Sequence, residues 1–198
     1  MNEVDWESRY QNADTPWDKG ECHPALARLI HRFATNEAAI IVPGCGRGWD
    51  LLALAKEFPA RVLIGVDLSL SAVLAARELC ADFPNVQVHH ADFFETTSWL
   101  GNYLVGAIWE HTCFCAIPPA LRDDYAKSVS QLLPAGGILG GVFFTDMDDE
   151  KSGPPWNCQL DELKQRFAGS FAIEIGDGSH ATFPSRQGEE RVIVMTKI

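Results

Sequence analysis

The chain has 198 residues, 46% of them hydrophobic and 22% charged, with a net charge of −11. That length and composition fit one globular domain with a sizeable core and exclude a disordered chain. The negative charge excludes a nucleic-acid partner, which needs clustered Lys and Arg, and no apolar run approaches the ~20 residues that span a bilayer.

The first residues, MNEVDWESRY, are acidic and polar, so no secretory signal is expected and the reading is cytoplasmic. Six cysteines (Cys22, Cys45, Cys80, Cys113, Cys115 and Cys158) form no C-x-x-C pair. They read as buried thiols of a reducing compartment rather than metal ligands. Residues 1–38 carry Trp6, Tyr10 and Trp17 and then a helical pattern over 24–33. This segment is either a cover for a pocket or a helix packed on a sheet edge.

From residue 39 onward, apolar strand-like runs alternate with helical patterns. The runs are 39–42, 62–66, 86–90, 104–109, 138–144, 171–175 and 192–196. Such alternation predicts a mostly parallel α/β sheet covered on both faces. Leu51, Leu54, Ala55 and Phe58 mark one helix. Ala72, Ala75, Ala76, Leu79, Cys80 and Phe83 mark another, with Ser69 as its N-cap. A third helix is expected over 119–133, stopped by Pro134-Ala-Gly-Gly137. Residues 176–190 are rich in Gly, Ser and charge, so the last two strands read as an antiparallel pair.

Chemistry concentrates where the first strand ends, in Val42-Pro-Gly44-Cys-Gly46-Arg-Gly48-Trp-Asp50. Glycines following a strand and preceding a helix allow positive φ and close approach to a ligand. Their G-x-G-x-G spacing is not the dinucleotide fingerprint, whose third glycine is here replaced by Trp49, and no phosphate-binding P-loop is present. This disfavours a nicotinamide-dependent reductase. Asp67 ends the second strand 19 residues after Gly48, near the ~20 expected of an acid that accepts from ribose hydroxyls. Asp92, followed by Phe93, closes the third strand and suits the amino group and face of an adenine.

The chain resembles the thiopurine methyltransferase family, and within it the thiol/halide methyltransferase branch, over nearly its whole length. The resemblance rests on Trp6-x-x-x-Tyr10 with Thr15-Pro-Trp17-Asp-x-Gly20, on Val42-Pro-Gly-Cys-Gly46 with Asp50, and on Gly65-Val-Asp67-Leu-Ser69. It also rests on Asp92-Phe-Phe94, Phe114-Cys-Ala-Ile117 with Arg122, and Gly153-Pro-Pro155. It implies a single domain, with 1–38 as a cover and 39–198 as a Rossmann-like class I methyltransferase core. The core would hold a seven-stranded sheet using S-adenosylmethionine. Trp6, Tyr10 and Trp17 would cover the cofactor and Gly44 and Gly46 would approach its methionine part. Asp67 would hold the ribose, Asp92 and Phe93 the adenine, and His111 would lie near the methionine end. Tyr10 and His111 stand where plant members carry Trp and Tyr, so acceptor preference stays open.

The expected reaction is in-line transfer of a methyl group to a small soft nucleophile, such as a thiol, sulfide, halide or thiopurine. Alternatives are a metalloid oxyanion or an oxygen or nitrogen acceptor, and, from another class, a sensor that binds the cofactor without turnover. His111 is the candidate to assist deprotonation, or else hydrogen-bonds the cofactor carboxylate or backbone. Arg122 draws in an anion, or else pairs with Asp123 or Asp124. Phe114 and Trp156, with Cys113, are expected to line the acceptor pocket, which the loop 146–157 covers. His180 and Arg186 lie within chain reach of it. A small acidic domain reads as a monomer acting on a small molecule.

Overall fold

The computed structural model describes residues 4–34, 37–147, 153–176 and 181–198. The elements run α1 (Trp6–Gln11), α2 (Leu26–Leu29), β1 (Ala39–Pro43), α3 (Trp49–Glu57), β2 (Leu63–Asp67), α4 (Leu70–Leu79) and β3 (Val86–His90). They continue α5 (Thr96–Trp99), β4 (Val105–His111), α6 (Arg122–Leu132), β5 (Ile138–Phe144), α7 (Leu160–Phe167), β6 (Phe171–Ile175) and β7 (Glu190–Lys197). The strands form one sheet in the order β3-β2-β1-β4-β5-β7-β6. β1 to β5 are parallel, and β7 runs antiparallel to both β5 and β6. This is a Rossmann-like sheet with the antiparallel end that the short last connection predicts.

Residues adjacent along a strand fall into opposite cores, as a period of two requires. Ile41 and Ile108 join Tyr125 and Phe143 on one face. Ile40 and Trp109 join Leu51, Leu54 and Val73 on the other. Every residue of β1 and β5 is buried, which is why these strands read as unbroken apolar runs. The strand order reverses between β1 and β4, whose pairing ends at Ile41 and Ile108, at the crevice where open sheets bind ligands.

Helix ends differ from the sequence expectation in ways that local chemistry explains. Ser69 caps α4, its Oγ accepting from Ala72 N at 3.2 Å. The helix stops at Leu79, short of Phe83. The helix expected over 24–33 is one α turn followed by the 3-10 turn Ile30–Phe33. Pro118 and Pro119 confine the start of the third expected helix to a 3-10 turn, so α6 begins at Arg122. α7 is not among the expected helices, although Leu160, Leu163 and Phe167 stand at i, i+3 and i+7 and face the core. Close helix–strand packing, supplied in dinucleotide folds by the glycine that Trp49 replaces, comes here from Gly65 in β2. A Cβ there would lie 2.5 Å from Leu51 Cδ1 in α3.

Candidate active site

An open cleft lies at the switch point, lined by Tyr10, Trp17, Gly44, Gly46, Asp50 and His111 among others. Gly46 has φ +55°, and a Cβ on it would stand 3.0 Å from the Tyr10 hydroxyl. Any side chain there would strain the loop and press on the Tyr10 hydroxyl. Gly46 N–H donates to Asp67 Oδ2 at 2.9 Å, and Ser69 N–H donates to Oδ1 at 2.9 Å. Burial raises the pKa of Asp67 against the pull of these two donors. Each carboxylate oxygen keeps a second lone pair for a ligand hydroxyl.

The N-terminal segment is braced within itself and fastened to the core here at two points, Asp18 and Glu7. Trp17 Nε1 donates to the Tyr10 hydroxyl at 3.1 Å, and Trp6 meets Trp17 edge-on at 5.4 Å. Asp18 accepts from Gly20 N–H and Trp49 Nε1, each at 3.0 Å, and pairs with Arg47 at 2.8 Å. Glu7 reaches the first turn of α4, accepting from the hydroxyls of Ser69 and Ser71 at 2.6 Å and from Ser71 N–H at 3.0 Å. The Ser69 hydroxyl first, then the two Ser71 donors, bring the Glu7 carboxyl down to about 2. An ionised carboxylate also suits a helix N-terminus.

His111 ends β4 with both ring nitrogens engaged. Arg186 Nη1 lies 2.8 Å from Nε2, and Asp50 Oδ2 lies 2.6 Å from Nδ1. A guanidinium only donates. Nε2 is therefore the acceptor and Nδ1 carries the proton given to Asp50. Asp50, buried, also accepts from His23 N–H at 2.8 Å. Burial acts to raise the Asp50 pKa, but His111 and the His23 N–H overcome it and hold the carboxyl low. Arg186 also donates to the Trp17 carbonyl at 2.9 Å and so ties the cover to the sheet. Behind this row, His23 Nδ1 accepts from Ala25 N–H at 3.1 Å, leaving Nε2 to donate to Glu190 at 2.8 Å.

The other residues expected at the site lie elsewhere. Asp92 sits in the turn after β3, where its Oδ1 accepts from Phe94 N–H at 2.9 Å. Phe93 is buried against Trp99 and Tyr125. Phe114, expected against an acceptor, is packed in the core with Tyr125, Phe143 and Phe167. Arg122 is buried away from the cleft, donating to the carbonyls of Trp156 and Asn157 at 3.0 and 3.1 Å and pairing with Glu162 rather than Asp123 or Asp124. Its cation thus organises the end of the loop 146–157. Trp156 is half-buried, its N–H donating to the Cys115 carbonyl at 2.8 Å. His180 and residues 148–152 of the covering loop lie outside the described residues.

Arg186, expected within reach of the pocket only from its place in the last connection, is delivered to His111 by the antiparallel return of β7. One group passed unread in the sequence although it carried a signal: Glu110 is a carboxylate at the end of the otherwise apolar run Val105-Gly-Ala-Ile-Trp109. It is wholly buried, with Oε1 accepting from the N–H groups of Cys113 and Phe114, each at 2.8 Å, and Oε2 from the Tyr125 hydroxyl.

Residues 1–197 match the family described as thiopurine S-methyltransferase. Thiocyanate methyltransferase 1 of Arabidopsis thaliana is 29% identical over 194 residues, covering 97% of this chain and 84% of that protein. Probable thiol methyltransferase 2 of the same plant is 32% identical over 192 residues, covering 94% and 82%. Among solved structures, the 1,6-didemethyltoxoflavin-N1-methyltransferase of Burkholderia thailandensis superposes with a TM-score of 0.73. It is 19% identical and covers 98% of this chain and 85% of that one.

Proposed function

The chain belongs to the thiopurine S-methyltransferase family and is an S-adenosylmethionine-dependent methyltransferase, and we propose that it methylates a small soft nucleophile: a thiol, sulfide, halide-like anion or thiopurine. The relatives named for thiocyanate and thiols support this acceptor class. One observation carries it: the imidazole at the crevice is engaged on both nitrogens. With Nε2 filled by Arg186, His111 has no lone pair free to take a proton. Acceptors that arrive as anions need none taken, whereas oxygen and nitrogen nucleophiles do.

The residues present fit the cofactor, since the cradle at Gly46 is one that a Cβ would fill. When bound, the cofactor supplies a methyl group on a sulfonium. Asp67 would accept from its ribose hydroxyls, Asp92, whose Oδ1 is held by Phe94 N–H, would offer its other oxygen to the adenine amino group, and the amides around Gly44 and Gly46 would approach its methionine part. Tyr10 and Trp17, backed by Trp6, would exclude water and could offer aromatic faces to the positive sulfur. His111, held by Arg186, would form part of the wall facing the acceptor. Arg122 acts through the loop it anchors. Holding the two reactants in line is the main contribution, and well-oriented pairs gain up to ~7–11 kcal/mol this way. The acidic charge and free cysteines support a cytoplasmic protein, and its small size supports a monomer.

The test is the pH dependence of kcat/KM. For a thiol it should rise along the thiol's own ionisation, near 8.5 for an unperturbed group, while iodide should give a flat profile over the same range. His111→Gln should lower both rates and leave both shapes unchanged. An inflection near 6.5, where free imidazole titrates, present for thiols and absent from the variant would contradict the reading.

A further inference from the structure

One buried acid has no part in that account. Glu110 lies between Trp109 and His111 on β4, and its carboxylate accepts three hydrogen bonds. Two come from the backbone N–H groups of Cys113 and Phe114, and one comes from the Tyr125 hydroxyl on α6. Between the acid and its backbone donors stands Thr112, which lines the cleft and has φ +63°. A β-branched residue adopts that left-handed conformation only where its surroundings enforce it. The enforcing bonds are visible: with Oε1 fixed by β4 and Oε2 by Tyr125, the two N–H groups can be met only if the chain turns sharply at Thr112. The same turn brings Cys113 against the glycine loop, its Sγ 3.2 Å from where a Cβ on Gly44 would lie.

We propose that Glu110 is a positioning residue for methyl transfer, which shapes the wall of the cleft through residues 112–114 and touches neither cofactor nor acceptor. The inference rests on the methyltransferase reading and assigns to a core carboxylate the placement of the acceptor side. The holds on the cofactor at Asp67, Gly46 and the N-terminal segment do not pass through Glu110; of the residues placed there only Gly44 meets this turn, through Cys113.

Three quantities test it in Glu110→Ala and Glu110→Gln: the Kd of S-adenosylhomocysteine by calorimetry, kcat, and KM for a thiol acceptor. In Glu110→Ala the Kd should stay within about threefold of wild type while kcat/KM for the acceptor falls about 100-fold, the loss typical of a displacement near 1 Å. Glu110→Gln keeps an oxygen able to accept from both N–H groups and should recover at least about tenfold of that loss. Wild-type kcat/KM in a folded Glu110→Ala would overturn the proposal, as would a Gln variant no better than Ala. Should Glu110→Ala fail to fold, Tyr125→Phe carries the test alongside Glu110→Gln. Each should lose about 3–10-fold in kcat/KM at unchanged Kd, and wild-type kinetics in both would overturn it. Hydrogen exchange at the Cys113 and Phe114 amides, slow in wild type and fast in Glu110→Ala, is read without any acceptor. If the wild type turns over no soft nucleophile, the functional reading fails while this measurement still reports on the turn.

Discussion

Asp67→Ala is expected to weaken S-adenosylhomocysteine binding by at least about 100-fold. A hydrogen bond to a charged group contributes roughly 1.5–3 kcal/mol, so losing an acceptor for two ribose hydroxyls removes about 3 kcal/mol or more, which is a factor near 100. The variant loses more than the ligand contacts. Gly46 N–H donates to the same carboxylate, so the glycine loop is released together with the ribose. Asp67→Asn keeps one oxygen and should fall between the two. Calorimetric titration of folded variants decides the matter. An Asp67→Ala protein binding within threefold of wild type would show that this acid serves only the loop.

The second large effect is on stability. Asp50→Ala leaves the buried His23 N–H and the His111 Nδ1–H without their acceptor. Each unmet buried donor costs roughly 1–3 kcal/mol, so a loss of about 3 kcal/mol in urea unfolding, at unchanged m, is expected. Because its folded pKa is held below the ordinary 3.8, the carboxylate contributes in full above that value and loses its contribution as the pH falls through the lower folded pKa. The gap between wild type and variant should therefore be constant near neutrality and close only in strong acid. A gap that instead shrinks between pH 5 and 7 would contradict the assignment. Asp50→Asn is informative for a different reason. If the amide N–H₂ turns to His111, the imidazole must carry its proton on Nε2, where it would face the Arg186 donor. Activity should then suffer out of proportion to stability.

Much of this site is legible in the chain because its parts are local. Gly44, Gly46 and Gly48 follow a strand at a spacing that few other sites need, and Asp67 ends the next strand. Both positions follow from periodicity alone. The aromatic cluster of the N-terminal segment was readable, although the segment's fastening by Glu7 and Asp18 was not, because each joins segments more than 25 residues apart. Phe114 was placed at the acceptor by its motif, yet the turn held by Glu110 rotates it into the core. Arg122 shows the same limit: a cation in a motif invites an anion, and the structure supplies two backbone carbonyls and Glu162. Arg186, which carries the argument about His111, depends on the register of β7 beside β5. No pattern within its own segment announces it.

The account is tested most directly by following a labelled methyl group. The protein is incubated with methyl-labelled S-adenosylmethionine and, separately, iodide, thiocyanate, bisulfide and a small thiol. The account predicts S-adenosylhomocysteine and labelled methylated acceptor in equal amounts with at least one of these anions or thiols. Tight cofactor binding with no S-adenosylhomocysteine formed from any of them would contradict it.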